Sequence, residues 1–370
     1  MRLLFTLILL AALATGRVAH AWDGHEPPAP PAGYDGWLVI YVIPPPGSIN
    51  WATPADITAS AIVNRDLAKE NIKAGRAFYG HPIGHLHVEM QCSKDGKNET
   101  IPLTGMTSDD ESWTAAGDGL GILLRDYPGR LDQMKTKDGK GGKIKVLIDL
   151  SDRKSATGYL GIMRFPITWA ECTHLRGYYD SYVGQGAFNH YGSQFRPRGF
   201  TGATGRHEGG GCSAFGVSFI DVAGLLPRPT MTSKWARQLL LGQSLIANVG
   251  GGRYPYGSNL IASVAGFLWT WPVNRTVPVV AGPINALQNR PWYTPAEFAA
   301  SQVVPLTLYD PELIYNDLSA LWVNAKAGVQ NGWKASLDVK ARVIERDRGA
   351  CPPKPNLKPF IDKVHNLNED

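Results

Sequence analysis

Apolar residues along this chain follow two rhythms, one of strands and one of helices, and the first half carries most of the strand signal. Gly36 to Ile43 (GWLVIYVI) is an unbroken β-branched and aromatic run closed by Pro44-Pro45-Pro46, the pattern of a buried strand. Within the span 77–91, which is expected to hold a strand, Gly84 to Met90 (GHLHVEM) alternates with period two. There His85, His87 and Glu89 project from one face while Leu86, Val88 and Met90 pack on the other. A glycine-rich polar loop is expected next, then a helical patch around Leu120–Met134. Lys143–Leu150 and Tyr159–Ile167 read as further strands.

Helical spacing marks other segments. Thr53-Pro54-Ala55-Asp56 opens a helix: Thr53 can cap it, Pro54 suits the first turn, and Ile57, Ile62 and Leu67 continue the pattern. Trp169–Tyr182 is expected to be helical. A long stretch rich in Gly, Tyr and Arg (184–211) then leads into Phe215, Phe219, Val222 and Ala223 at helical spacing. Past Pro227, Lys234–Ala247 and Pro311–Ala325 read as helices, and Leu260–Trp271 as an apolar element. With strands before the middle and helices after it, the predicted class is α+β rather than a regular βαβ alternation. The expected organisation is a domain over 36–226 followed by a mainly helical C-terminal extension over 227–370.

The N-terminus changes the picture of where the protein works. Arg2, the apolar run Leu3–Ala14 and Ala19-His20-Ala21 together predict a secretory signal peptide over 1–21. A Pro-rich linker over 22–35 follows. The run is too short to span a bilayer comfortably, and no transmembrane segment is expected after cleavage. The expected location is therefore secreted or periplasmic. Over the whole chain 37 basic residues face 32 acidic ones for a net charge of +5. Loss of Arg2 and Arg17 with the signal lowers even that, so the balance argues against a nucleic-acid partner. At 44% hydrophobic residues, the 370-residue chain can build a sizeable core.

The main chemical signal is Gly209-Gly210-Gly211-Cys212-Ser213-Ala214-Phe215-Gly216, a cysteine set at a predicted helix start. A thiol in a first helical turn feels the positive end of the peptide dipoles and the backbone N–H groups that lack helical partners. Both favour thiolate, the form that attacks carbonyl carbon. Three glycines clear the approach. Export adds a competing fate, because Cys92, Cys172, Cys212 and Cys351 admit three complete disulfide pairings. The pairing expected is Cys172 with Cys351, and a free thiol at Cys212 then requires Cys92 to stay unpaired as well.

A thiol nucleophile needs a base, and the His85, His87, Glu89 face is the best candidate. A neutral imidazole there would take the cysteine proton and later protonate a leaving group. The competing chemistry is a metal: two histidines at i and i+2 on one strand can share an ion, with Glu89 or His81 completing the set. The spacing has some flavour of a cupin motif, but the acid comes too soon and Gly80 is one residue too close. No cofactor or metal is expected.

A strand histidine far upstream of a helix-start cysteine reverses the usual papain order. In this it resembles the circularly permuted branch of the NlpC-type papain-like superfamily, which includes secreted bacterial cysteine peptidases and amidases and lecithin–retinol acyltransferase-like enzymes. The strand motif of that branch is matched by Gly84-His85-Leu86-His87-Val88, and its helix-opening cysteine by Gly211-Cys212-Ser213. The likeness spans roughly 36–226 and implies a permuted papain-like sheet with packed helices. It implies Cys212 as nucleophile and His85 as base, with His87 the alternative. Glu89 or Asp149 would orient the imidazole. Tyr191 would offer a hydroxyl near the oxyanion, and the backbone N–H of Cys212 would be its main donor.

These readings converge on a secreted thiol hydrolase that cleaves an amide or ester through a thioester. Its expected partners are peptide or lipid acyl substrates, peptidoglycan first, with Trp269, Trp271, Trp292 and Tyr293 available to line a groove. The alternatives are a binding or structural protein with Cys212 in a disulfide, and a metal hydrolase built on His85 and His87.

Overall fold

The computed structural model describes residues 27–73, 83–108, 129–131, 160–184, 211–242, 291–326, 328–329, 331–336, 342–349 and 353–358. In chain order the elements are β1 (Gly36–Ile43), α1 (Pro54–Lys73), β2 (His85–Lys94), β3 (Lys97–Thr104), β4 (Met106–Ser108) and β5 (Gly129–Leu131). There follow β6 (Gly161–Ile167), α2 (Trp169–Gly184), α3 (Cys212–Val222), α4 (Arg228–Trp235) and β7 (Ala236–Gly242). The last are α5 (Pro295–Ala299), β8 (Val303–Tyr309), α6 (Pro311–Ala325), β9 (Trp333–Ser336) and β10 (Arg342–Arg346). The class is α+β, centred on a six-stranded mixed sheet of order β3-β2-β1-β6-β10-β9. Its pairs are antiparallel except β6 with β10.

β1 lies between β2 and β6, and all of its residues are buried. That position explains its lack of alternation, since a strand covered on both faces needs apolar residues on both. Alternation then sorts the sheet into two faces. Leu38, Ile40, Val42, Leu86, Val88, Met90, Met163, Phe165 and Ile344 belong to one core cluster with residues of α2, α3 and α6. Trp37, Val39, Tyr41, Ile43, Ile162 and Val343 form a second cluster, joined by Leu103 and Leu160.

Local signals account for several boundaries. At α1 the Asp56 amide donates to Thr53 Oγ1 at 3.2 Å, and Pro54 occupies the first turn. α6 is capped by Asp310, which accepts from the Glu312 amide at 2.8 Å. α3 closes in a Schellman turn: Leu225 N–H donates to Ile220 O and Gly224 N–H to Asp221 O. Gly224 there has φ +64° and lies against Asn356 O, so a side chain is excluded twice over.

Several expectations need correction. The polar loop expected after residue 91 is a hairpin: Asp95 (φ 50°) and Gly96 (φ 76°) turn β2 directly into β3. Gly129–Leu131, placed in a helical patch, pairs with β4 instead. The helix expected over Lys234–Ala247 gives way to strand, because Ala236–Gly242 pairs with the β-branched run Val303–Tyr309. Its good helix formers are overridden by that partner. Among the described residues after 226, helices α4 to α6 are accompanied by strands β7 to β10, and β9 and β10 join the central sheet.

Within the expected linker, Pro28 O accepts from Trp37 Nε1 at 2.7 Å and Tyr34 is buried. The disulfide joins Cys92 to Cys172, not Cys172 to Cys351; Cys351 lies outside the described residues. The strand expected at Lys143–Leu150 and the apolar element at Leu260–Trp271 also lie outside them, as does the whole of 1–26.

Candidate active site

Gly84 sets the entry to β2. Its φ of +79° and its approach to Pro311, whose Cβ would lie 2.5 Å from an added methyl, admit only glycine. The chain leaves this kink with His85 as the first residue of the strand. The register places His85 opposite Ile43, His87 opposite Tyr41 and Glu89 opposite Val39. All three predicted polar residues thus share the face of the smaller cluster. His85 and His87 are buried, and their rings meet edge to face with centroids 4.5 Å apart. Gly105 walls the pair: a Cβ there would lie 3.0 Å from His87 Cδ2 and 3.3 Å from His85 Nε2.

Glu89 is tied down by β1. Tyr41 Oη donates to Glu89 Oε2 at 2.8 Å. Burial, and then the neighbouring Glu89 charge, push the Tyr41 phenol well above its ordinary pKa, so it stays a donor. Farther along the same face Arg164 donates to Glu345 Oε1 at 3.1 Å, and Lys334 Nζ lies 3.4 Å from Glu345 Oε2. One buried face therefore carries histidines, a phenol and charged groups of both signs. Tyr41, Arg164 and Glu345 were not singled out in the sequence. The visible signal was a lone Arg inside the apolar strand GIMRFPI; its acidic partner is 181 residues away.

Cys212 opens α3 as predicted. Gly211 is the N-cap, with φ −69° and ψ 173°, and makes no side-chain cap. The first helical bond runs from Phe215 N–H to Gly211 O at 2.9 Å. The amides of Cys212, Ser213 and Ala214 consequently have no partner within the helix, which is the property expected of an oxyanion or anion cradle. Cys212 is buried, carries a thiol, and has its Sγ 3.8 Å from Ser213 Oγ.

Helix α3 is buried on every side, pairs its Asp221 with Arg228 and Lys358, and packs on β2. Gly216 makes this possible: its added Cβ would lie 3.0 Å from Leu86 Cδ2 and 3.2 Å from Leu86 Cβ. Cys212 stands one turn before Gly216, and Leu86 stands between His85 and His87. α3 is thus seated on the Leu86 face of β2, whereas the imidazoles project from the other face. On the α3 side Tyr178 Oη donates to Ser218 Oγ, which donates to Phe215 O, fixing the helix against α2.

Other predicted residues fall elsewhere. Asp149, Tyr191, His81, Trp269 and Trp271 lie outside the described residues. Trp292 is buried with its Nε1 donating to Trp51 O at 2.7 Å, while Tyr293 is exposed and stacks on Phe298. Among the described residues no group of three His, Cys, Asp or Glu side chains is arranged to hold a metal ion. Nor, among them, is any helix long and apolar enough to cross a membrane. No protein-family model, curated protein or solved structure matches the chain.

Proposed function

We propose that this protein is an exported thiol hydrolase with Cys212 as nucleophile and His85 as its base, built on a permuted papain-like plan. The observation that carries the reading is the packing of Gly216 against Leu86. It seats the helix that Cys212 opens on the strand that His85 begins. The Cys92–Cys172 disulfide supports it as well, because Cys212 keeps its thiol alongside a formed disulfide.

The chemistry follows from those groups. His85 takes the Cys212 proton, and Sγ attacks a carbonyl carbon to give a tetrahedral oxyanion that accepts from the Cys212 amide. Collapse expels an amine or alcohol protonated by the imidazolium, leaving a thioester. Water, deprotonated by the same imidazole, then releases the acid and restores the thiol. Peptide amides of the cell wall are the first substrate class and lipid acyl esters the second.

The test is hydrolysis by the purified protein of peptidoglycan and of a p-nitrophenyl acyl ester. New amino groups from the wall, or a nitrophenol burst of one per protein, are expected, and both vanish in Cys212→Ser. Turnover that survives Cys212→Ser overturns the assignment.

A further inference from the structure

Helix α6 comes down on the sheet at Gly161, where an added Cβ would lie 2.9 Å from Leu318 Cδ1 and 3.2 Å from Tyr315 Cδ2. Arg342 is the parallel partner of Gly161 on β10, and its N–H donates to Leu160 O at 2.9 Å. Ile344, two residues on, belongs to the core shared with α6, so Arg342 starts on the same face, beneath the helix. There its guanidinium carbon stands 5.5 Å from the Tyr315 ring centroid and 5.8 Å from that of Trp322. Those rings are about two turns apart along α6. The guanidinium therefore lies between them, level with Ser319 on the same helix face. One turn past Trp322, Lys326 Nζ lies 3.6 Å from the indole centroid.

Three polar atoms of this cluster are buried with no hydrogen-bond partner among the described residues: Ser319 Oγ, Trp322 Nε1 and Arg342 Nε. Nor does either cation form an ion pair among them. The described carboxylates of α6, its cap and β10 are committed elsewhere. Asp310 and Glu312 pair with Arg237, Asp317 with Lys234 and Trp235, and Glu345 with Arg164 and Lys334. Ser319, Trp322 and Arg342 are half-buried and Lys326 is exposed, so the cluster reaches the surface at the end of α6.

We infer that the face between α6 and the start of β10 is a binding site for a dianionic phosphate group. Indole, guanidinium and ammonium N–H groups only donate, and the Ser319 hydroxyl can donate too, so the ligand must accept at every contact. Two cations without a carboxylate call for a double negative charge, and the guanidinium fork matches phosphate oxygens. The aromatic rings hold the guanidinium in place and restrict water around it, which strengthens its attraction for an anion. Leaving three buried polar atoms unpaired costs stability, and a bound phosphate satisfies all three. The site shares no residue with Cys212 or the β2 histidines, so it stands or falls apart from the thiol chemistry.

The test is calorimetric titration of the full chain, at fixed ionic strength, with inorganic phosphate and separately with glycerol 3-phosphate. Saturable binding at one site per chain is expected, with acetate weaker than either. Tighter binding of inorganic phosphate assigns the free ion, and tighter binding of the ester assigns a phosphomonoester. Trp322→Phe keeps a ring and removes one donor, so it should weaken binding about tenfold; Arg342→Met should abolish it. Ser319→Ala carries a test of sign. Without phosphate it should leave the urea midpoint unchanged or raised, because an unpaired buried hydroxyl is gone. The rise in midpoint that phosphate confers should nevertheless shrink, because a ligand contact is gone too.

No saturable binding of either phosphate by the wild-type chain overturns the inference, as does affinity that Arg342→Met and Trp322→Phe both leave unchanged. Acetate binding as tightly as phosphate also overturns it, since the site then selects no dianion. Should Arg342→Met fail to fold, Trp322→Phe and Ser319→Ala decide: wild-type affinity in both refutes the site.

Discussion

The two faces of the central sheet are built from the same strands and differ almost completely in character. On one, Leu86, Val88, Met90, Phe165 and Ile344 meet the apolar sides of α2, α3 and α6. On the other, His85, His87, Tyr41, Glu89, Arg164 and Glu345 punctuate the apolar cluster with ionisable groups, nearly all of them buried. Burying apolar side chains stabilises the fold directly, whereas burying ionisable ones costs free energy unless each is paired. The first face is what makes the chain fold. On the second, the Tyr41–Glu89 and Arg164–Glu345 pairs offset the cost of burying ionisable groups. β2 serves both, one residue at a time.

That contrast can be broken by mutation, and the largest effect is expected on the apolar face. Phe215 is fully buried between Tyr182 and Phe219, with ring centroids at 5.1 and 5.0 Å. Phe215→Ala should cost about 4 kcal/mol, read as a fall in the urea midpoint at constant slope. On the ionisable face, Arg164→Met leaves Glu345 buried with only the half-exposed Lys334 of its two cationic partners. It should destabilise by about 3 kcal/mol, whereas Arg164→Met with Glu345→Leu should return close to wild type. A double variant as unstable as the single one would mean that this face also holds the fold together through its charges.

Gly105→Ala sharpens the comparison. The new methyl would press on Leu86 O at 2.7 Å and on both imidazoles, costing about 1–3 kcal/mol as overpacking does. Cys212 alkylation should slow more than stability alone predicts, because the rings must move.

The smallest effect is a pH slope away from the site. Burial holds the His174 imidazole below its ordinary pKa, against the opposing hydrogen bond to Lys358 O at 2.9 Å. The folded state thus favours the neutral ring. Its contribution is complete above pH about 6.5 and is lost as pH falls through that value toward the lower folded pKa. His174→Asn should flatten that part of the profile of urea midpoint against pH.

Much of this division was legible before any coordinates. The period-two run GHLHVEM fixed which residues of β2 share a face, and GWLVIYVI announced a strand covered on both sides. Gly211-Cys212 and the apolar spacing after it gave the helix start to the residue. What escaped depends on distant partners. ARQLLLG has helix-forming residues and becomes a strand only because VVPLTLY lies beside it. β9 and β10 enter the sheet from far along the chain, and nothing local to Arg164 points to Glu345. The β2–β3 hairpin is a different kind of miss, for Asp95-Gly96 between two strand-like segments is a strong local turn signal.

The proposed chemistry requires that Cys212 be activated by a histidine on the opposite face of the strand its helix packs against. Peptide-mapped alkylation by iodoacetamide at pH 6 reads this directly. Cys212 in the folded protein should react faster than the same thiol in denatured protein, and His85→Ala should remove that excess. A folded rate no greater than the denatured one, or one unchanged by His85→Ala, would contradict it.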